Sequence, residues 1–317
     1  MEDGAVPLSP PGDPRGVFID AMLRQSTPLS IQWDLTWRCD HKCVHCYLTD
    51  RHQDELTLDE QIGILDQLAE AGTLALLVSG GDPFLRPDAL DFIRAARARH
   101  FDVRINSHGN FIDDALADAL AEVGVSRVAL SVYSTEASEH EAVTRIPGSH
   151  AKTLDAARRL VARGLPVRFK TPLAVHNRRG WYGVRHLAAE IGATFETDAH
   201  IVPDDQSDFG LCGIGLPMTE RIHATMLALA SHSAEVHWPP RPVAGEDRRT
   251  CSAGALSGYI SPDGRLYPCL NWRDPMGDLR VQSFRTLWWE SVAAARQRRI
   301  RRASYRKDCD GCAFHEH

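Results

Sequence analysis

The sequence predicts an α/β fold in which parallel strands alternate with helices, followed by a smaller α+β unit. Two observations carry this. Short apolar runs of strand length alternate with segments of helical periodicity through six repeats. After about residue 205 that alternation stops and a helix, a hairpin and a further helix take its place. A chain of 317 residues exceeds the usual single core, which agrees with two units.

Taken in order, residues 1–28 are rich in Pro and Gly without sustained periodicity and read as an irregular segment. Ile31 to Thr36 is the first strand, and a loop with three cysteines follows it. Leu58, Ile62, Leu65 and Leu68 recur at helical spacing behind Thr57, an N-cap residue. Strands at Leu74 to Ser79, Val103 to Asn106, Arg127 to Val132, Val167 to Pro172 and Ala193 to Asp198 alternate with helices near 88–99, 113–123, 151–163 and 180–191. The second unit holds a helix near 219–231, the hairpin Leu256 to Ile260 and Arg265 to Leu270 about the turn Pro262-Asp263-Gly264, and a helix near 283–299. Periodicity alone leaves two arrangements of the larger unit, an open doubly wound sheet or an incomplete barrel. In both, ligands lie at the C-terminal ends of the strands.

Composition excludes several classes. With 43% hydrophobic and 25% charged residues the chain is an ordinary globular one, not a disordered or collagen-like one. A net charge of -6 offers no general attraction to nucleic acid or anionic lipid, so neither is expected as a partner. No run of 18 apolar residues occurs, and the N-terminus has acids, glycines and prolines where a signal peptide needs basic and apolar stretches. A cytoplasmic location is expected. In that reducing compartment eight cysteines point to metal or redox chemistry rather than to disulfides.

Cys39, Cys43 and Cys46 place three thiolates within eight residues, directly after the first strand. A closed zinc site wants four ligands, whereas three suit a 4Fe-4S cluster with one iron open to an outside ligand. Ser79-Gly80-Gly81-Asp82-Pro83 ends the second strand: glycines permit close backbone approach to a ligand, and an acid suits an ammonium group.

With these motifs the sequence resembles the radical S-adenosylmethionine (SAM) superfamily from about residue 29 to its end. The resemblance implies a partial (β/α)6 TIM barrel over residues 29–205, with the free iron of the 4Fe-4S cluster chelated by the methionine part of SAM. It implies SAM contacts from Tyr47, beside the adenine, from Gly80, Gly81 and Asp82, which replaces the commoner Glu, and from Asn106, Ser131 and Arg145, with Lys170 as a candidate anion contact. Cys251, Cys269, Cys309 and Cys312, over residues 206–317, resemble the twitch or short SPASM domain that ligates an auxiliary 4Fe-4S cluster; a structural zinc site is the alternative. Cys212 remains, a candidate hydrogen-atom donor to a substrate radical.

The other polar groups are assigned lesser roles. His41, His45, His108 and His200 have no catalytic assignment, and Glu196, Asp198 and Asp205 are candidate proton acceptors or rim carboxylates. The basic run from Arg296 to Arg302 is a solvated helix face, or a dock for an acidic peptide or an electron donor such as flavodoxin or ferredoxin. The expected activity is cleavage of SAM to a 5'-deoxyadenosyl radical that takes a substrate hydrogen. The segment Ser131 to Ser149 resembles members that mature ribosomally made peptides by cross-linking, oxidation or epimerisation, with leader recognition expected from a separate protein or from another surface. The alternatives are a dehydrogenase or epimerase of a small molecule such as an amino sugar and, in another class, a non-catalytic iron-sulfur or zinc scaffold.

Overall fold

The computed structural model describes residues 14–49, 54–206, 208–230 and 251–300. Strands β1 (Ser30–Asp34), β2 (Ala75–Ser79), β3 (Asp102–Ser107), β4 (Arg127–Ser131), β5 (Val167–Pro172) and β6 (Thr194–Asp198) pair in parallel, each with its successor. A strictly sequential order sends every crossover to the same face, so the sheet curls with its helices outside, as a partial barrel requires. Alternation then sorts the side chains. Ile31, Trp33, Leu76, Val78, Val103, Ile105, Val128, Leu130, Val167 and Phe169 pack toward the helices, leaving Asp34, Asn106, Ser131 and Lys170 for the concave face.

The helices around the barrel are α2 (Leu58–Glu70), α3 (Ala89–Ala98), α4 (Asp114–Val123), α5 (Ala137–Thr144), α6 (Ser149–Ala162) and α7 (Trp181–Ile191), preceded by α1 (Pro14–Gln25). Thr57 caps α2 with a full capping box: its hydroxyl accepts from Glu60 N, and Glu60 accepts from Thr57 N at 2.7 Å. Such a cap contributes about 1 kcal/mol. The buried stripe of α2 is Gln61, Ile64, Leu65 and Leu68, one position away from the expected Ile62.

Three expectations need correction. The segment before the barrel is not wholly irregular, because α1 lies within it; the indoles of Trp288 and Trp289 donate to Ser26 O at 2.6 Å and Gln25 O at 3.2 Å and hold its C-terminal end. Those partners are some 260 positions away, so no local pattern announces the helix. Helix α5 was absent from the expected order, since its residues ASEHEAVT lack an apolar stripe and bury His140, Val143 and Thr144 instead. The last helix is two, α9 (Phe284–Glu290) and α10 (Val292–Arg298), because Ser291 turns extended and caps α10 by accepting from Ala294 N.

The second unit contributes α8 (Met218–Ala230) and strands β7 (Ser257–Ile260), β8 (Arg265–Tyr267) and β9 (Gly277–Asp278). The hairpin is present, and β7 also pairs in parallel with β1, Ile31 opposite Gly258, so nine strands form one sheet. The barrel's first strand is thereby covered instead of exposed as an edge. Among the described residues no helix is long and apolar enough to cross a membrane.

Candidate functional site

At the C-terminal end of β1 the chain enters the cysteine loop, which is fastened on several sides. Toward β2, Gly81 N donates to Thr36 O at 2.8 Å and Asp82 N to Arg38 O at 2.9 Å. Toward α5, Lys42 N donates to Thr144 O and Val44 N to Val143 O. Glu55 accepts from Thr36 Oγ1 at 2.6 Å and Trp37 N at 2.9 Å, with Arg86 3.7 Å away. From the segment after β6, Asp205 N donates to Tyr47 O, and the Asp205 carboxylate accepts from Thr49 Oγ1 at 2.6 Å. Asp205 is therefore a loop tether. Glu55, Arg86 and Asp205 as tethers were not legible in the sequence, since each acts across a long loop or from another strand.

The glycine pair is packed closely against the start of the cysteine loop. A Cβ on Gly81 would lie 2.0 Å from Arg38 O, and on Gly80, whose φ is +132°, 2.6 Å from Thr36 O. The close approach they permit is to the backbone that launches the cysteine loop.

Cys39, Cys43 and Cys46 line one cavity of about 920 Å³, together with Arg145, Glu55 and Leu211. Three thiols facing one space, on a loop held by backbone bonds, fit a cluster with three protein ligands. Arg145 reaches this space from the end of α5 with a φ of +59°, a left-handed conformation that is strained for a side chain with Cβ and is typical of functional positions. It makes no ion pair with a described residue, as expected of a group kept for an anionic ligand.

The other expected SAM contacts lie around the cavity rather than in its wall. Tyr47 donates to Asp34 Oδ2 at 2.7 Å, and Tyr259 of β7 donates to the same oxygen at 2.9 Å. Arg273 stands over both rings, 5.8 and 5.7 Å from their centres. Burial raises the Asp34 carboxyl above its ordinary range, against the pull of both tyrosines, Gln32 and Arg273. One buried carboxylate thus ties the cysteine loop to the second unit. Asn106 lies on the concave face, while Ser131 sits opposite Lys170 and Lys170 opposite Glu196 in the sheet register.

Asp82 is tied into the fold by several hydrogen bonds. It is fully buried, caps the turn Pro83–Leu85 by accepting from Phe84 N, and accepts from Ser107 Oγ at 2.6 Å and His108 N at 3.0 Å. Its carboxylate faces inward because it is a methylene shorter than Glu and finds backbone donors nearby. Besides Glu55, the acid lining the cavity is Asp40, 2.8 Å from His108 Nε2. Burial works to raise Asp40, but the His108 hydrogen bond and the charges of His108 and His41 leave it below its ordinary value. His108, otherwise lowered by burial, is raised by Asp82 and Asp40. His108 stacks on His41 at 3.8 Å, and its ring nitrogen lies within 4.8 Å of the Cys39 sulfur and the Asp40 carboxylate. Its Asn-Ser-His-Gly setting at a strand end was the available signal.

Behind the loop, His140 is fully buried, and its Nδ1 accepts from Tyr133 N. Burial, then repulsion from His150, His41 and His108, lowers it to about 3. Folded His140 therefore stays neutral between about 3 and 6.5 while the unfolded chain takes up a proton, so stability is lost as pH falls below 6.5. The loss is about 1 kcal/mol between pH 6.5 and 5.5 and approaches about 1.4 kcal/mol per pH unit below that. His140→Asn, whose amide oxygen can still accept from Tyr133 N, is expected to lose about 1 kcal/mol less than wild type between pH 6.5 and 5.5. Urea unfolding at the two pH values measures it, and equal losses would refute it.

Cys212 donates to Ile201 O at 3.2 Å, and its neighbour Leu211, not Cys212, lines the cavity. In the second unit, Cys251 accepts from Ala253 N and Cys269 from Asn271 N, each at 3.4 Å. Burial raises the Cys269 thiol, and nearby Cys251 raises it further. Two neighbouring sulfurs that each receive a backbone N–H fit half of a cluster or zinc site. Cys309 and Cys312 lie outside the described residues. Glu196 is paired with Arg168 at 2.6 Å, and Asp198 with His200 at 3.0 Å. In the basic run Arg298 is not a solvated group, since it donates to Gly254 O and covers the Trp288 ring; Arg301 and Arg302 lie outside the described residues.

Known proteins resemble this chain over most of its length. The radical SAM superfamily model matches residues 34–178, and the model of SPASM, an iron-sulfur cluster-binding domain, matches residues 251–313. An AdoMet-dependent heme synthase of Methanosarcina barkeri is 25% identical over 90% of this chain and 91% of its own length. A PqqA peptide cyclase of Granulibacter bethesdensis is 29% identical over 76% of this chain and 67% of its own. The crystal structure of Streptococcus suis SuiB bound to the precursor peptide SuiA superposes with a TM-score of 0.70 at 14% identity, covering 95% of this chain and 75% of that one.

Proposed function

Because this chain belongs to the radical SAM superfamily and carries a SPASM domain, we propose that it modifies a ribosomally made peptide. The chain is an enzyme of that superfamily, with SAM, a 4Fe-4S cluster and an auxiliary iron-sulfur cluster as its cofactors. The similarity to PqqA peptide cyclases over 76% of the chain is the observation that carries the peptide reading. When bound, SAM and the reduced cluster supply a 5'-deoxyadenosyl radical.

The chain's own residues do the positioning. Cys39, Cys43 and Cys46 would hold three irons, and the bonds of Gly81, Asp82, Val143, Thr144 and Asp205 fasten the loop that carries those sulfurs. Asp34 fixes Tyr47 beside the adenine, and Arg145 offers its guanidinium to the methionine carboxylate. Leu85 and Leu211 supply apolar wall that excludes water from a reactive radical. Asn106, Ser131 and Lys170 face the same concave surface as ribose and substrate contacts. Asp82 acts from behind by holding the turn after the glycines, with its contact to the amino group made only if that turn opens. Cys251, Cys269, Cys309 and Cys312 would hold the auxiliary cluster, which would supply electron-transfer chemistry. Cys212 donates a hydrogen atom only if the segment from Ala199 to Gly215 shifts, because its thiol is engaged with Ile201 O. A separate protein recognises the leader, and a flavodoxin or ferredoxin supplies electrons.

A small-molecule substrate is the second reading, favoured by the heme synthase relative that matches the chain almost end to end. Co-expression with a candidate peptide, followed by mass spectrometry, tests the choice. Cross-linking or oxidation removes two hydrogen atoms, and epimerisation in deuterated water adds one deuterium. Formation of 5'-deoxyadenosine with every peptide unchanged and a small molecule consumed would overturn the peptide reading.

A further inference from the structure

A second cavity, of about 420 Å³, lies at the N-terminal ends of β3, β4, β5 and β6 and shares no lining residue with the cavity of the cysteine loop. Arg104, Arg127 and Arg168 line it from three adjacent strands. Alternation turns all three toward the concave face, since Val103, Val128 and Val167 beside them pack into the core. In the sheet register Arg127 is opposite Arg104, and Arg168 is opposite Ala129, two residues further along β4. Like charges so placed repel one another. The outer two are each neutralised: Arg104 pairs with Asp102 at 2.5 Å and Arg168 with Glu196 at 2.6 Å. Arg127, between them, makes no ion pair with a described residue. It is half-buried, and burial, then Arg168 and Arg104, hold its guanidinium below the ordinary value. Three guanidinium groups against two carboxylates leave one positive charge without a partner in this cluster.

We propose that this cavity binds an oxyanion, the carboxylate or phosphate group of a ligand, with Arg127 as its principal contact. A planar guanidinium presents paired N–H donors that match two oxygens of either group. An anion seated among the three strands also screens Arg127 from Arg104 and Arg168, so binding relieves a repulsion already present in the fold. The site is separate from the radical chemistry. Arg127 precedes Ser131 by four residues on one strand, about 13 Å at the usual rise, and the cysteine loop lies at the opposite end of the strands. The anion it takes is therefore neither the methionine carboxylate assigned to Arg145 nor a group that reacts. No step of SAM cleavage enters the inference, which stands apart from the choice between peptide and small molecule.

The test is calorimetric titration of the reconstituted full-length protein with inorganic phosphate and, separately, with glutarate, at an ionic strength fixed by sodium chloride so that general screening is constant. Wild type is expected to bind at least one of the two. Arg127→Met, which keeps the length of the side chain and removes its charge, is expected to bind that probe about tenfold more weakly or worse, the loss of one charge-assisted contact. The tighter probe identifies the source of the group: phosphate points to a phosphorylated ligand and glutarate to a carboxylate. Absence of binding by wild type, or equal binding by wild type and variant, overturns the proposal. Should Arg127→Met fail to fold, Arg127→Gln decides in its place: weaker binding supports the proposal and equal binding overturns it. Failure of the superfamily assignment would look different, with wild-type protein forming no 5'-deoxyadenosine whatever the anion titration shows.

Discussion

Replacing Cys39, Cys43 and Cys46 together by alanine is expected to remove about half the iron and all SAM cleavage. The three sulfurs line one cavity, so their loss empties one site without touching the sulfurs of the second unit. The remaining iron is expected at Cys251, Cys269, Cys309 and Cys312, and fully ligated iron there has no open position with which to bind SAM. Iron analysis and chromatographic detection of 5'-deoxyadenosine after anaerobic reduction measure the two effects. Continued cleavage in the triple variant would remove the assignment of this loop. Zinc in place of iron at the remaining four cysteines would instead revise only the auxiliary site.

Gly81→Ala is expected to be almost as damaging, though it removes no ligand and adds one methyl group. The new Cβ would lie 2.0 Å from Arg38 O and 2.9 Å from Trp37 O, both backbone atoms. The backbone cannot move aside without breaking the bonds from Gly81 N to Thr36 O and from Asp82 N to Arg38 O, which seat the cysteine loop on β2. The expected loss is about 3 kcal/mol, at the upper end of overpacking effects, with iron at the first site lost in parallel. Gly63→Ala is the contrast: nothing lies within 4 Å of its Cβ position, and it sits inside α2. That substitution is expected to raise stability by about 0.5–1 kcal/mol. Urea unfolding and iron content of both variants check the pair. A stable, iron-replete Gly81→Ala protein would mean that the loop is seated by other contacts.

The two glycines were legible as positions of close approach, but the backbone they pack against was not. Their presence at a strand end signalled close approach, but the backbone they approach, Thr36 to Arg38, lies in the loop after β1 and is brought there by the register of β1 with β2. Asp82 is a parallel case. Its position beside the glycines was legible, yet Ser107 and His108, brought by β3, decide that its carboxylate turns inward. Asp205, read as a rim acid, becomes a tether because Thr49 and Tyr47 meet it across more than 150 residues.

What the amino-acid sequence determined by itself is whatever rests on spacing along the chain. That includes the six strand-helix repeats, the cap at Thr57, three thiolates close enough to share one cluster, and two further groups of cysteines separated by a hairpin. Only the tertiary structure decided the sequential strand order, the attachment of β7 to β1, and the grouping of Asp34, Tyr47, Tyr259 and Arg273 around one buried oxygen. The physical reason is range. Helical and strand periodicity and ligand spacing are set by neighbours a few residues apart, whereas strand pairing, desolvation and charge depend on which distant segments the core brings together.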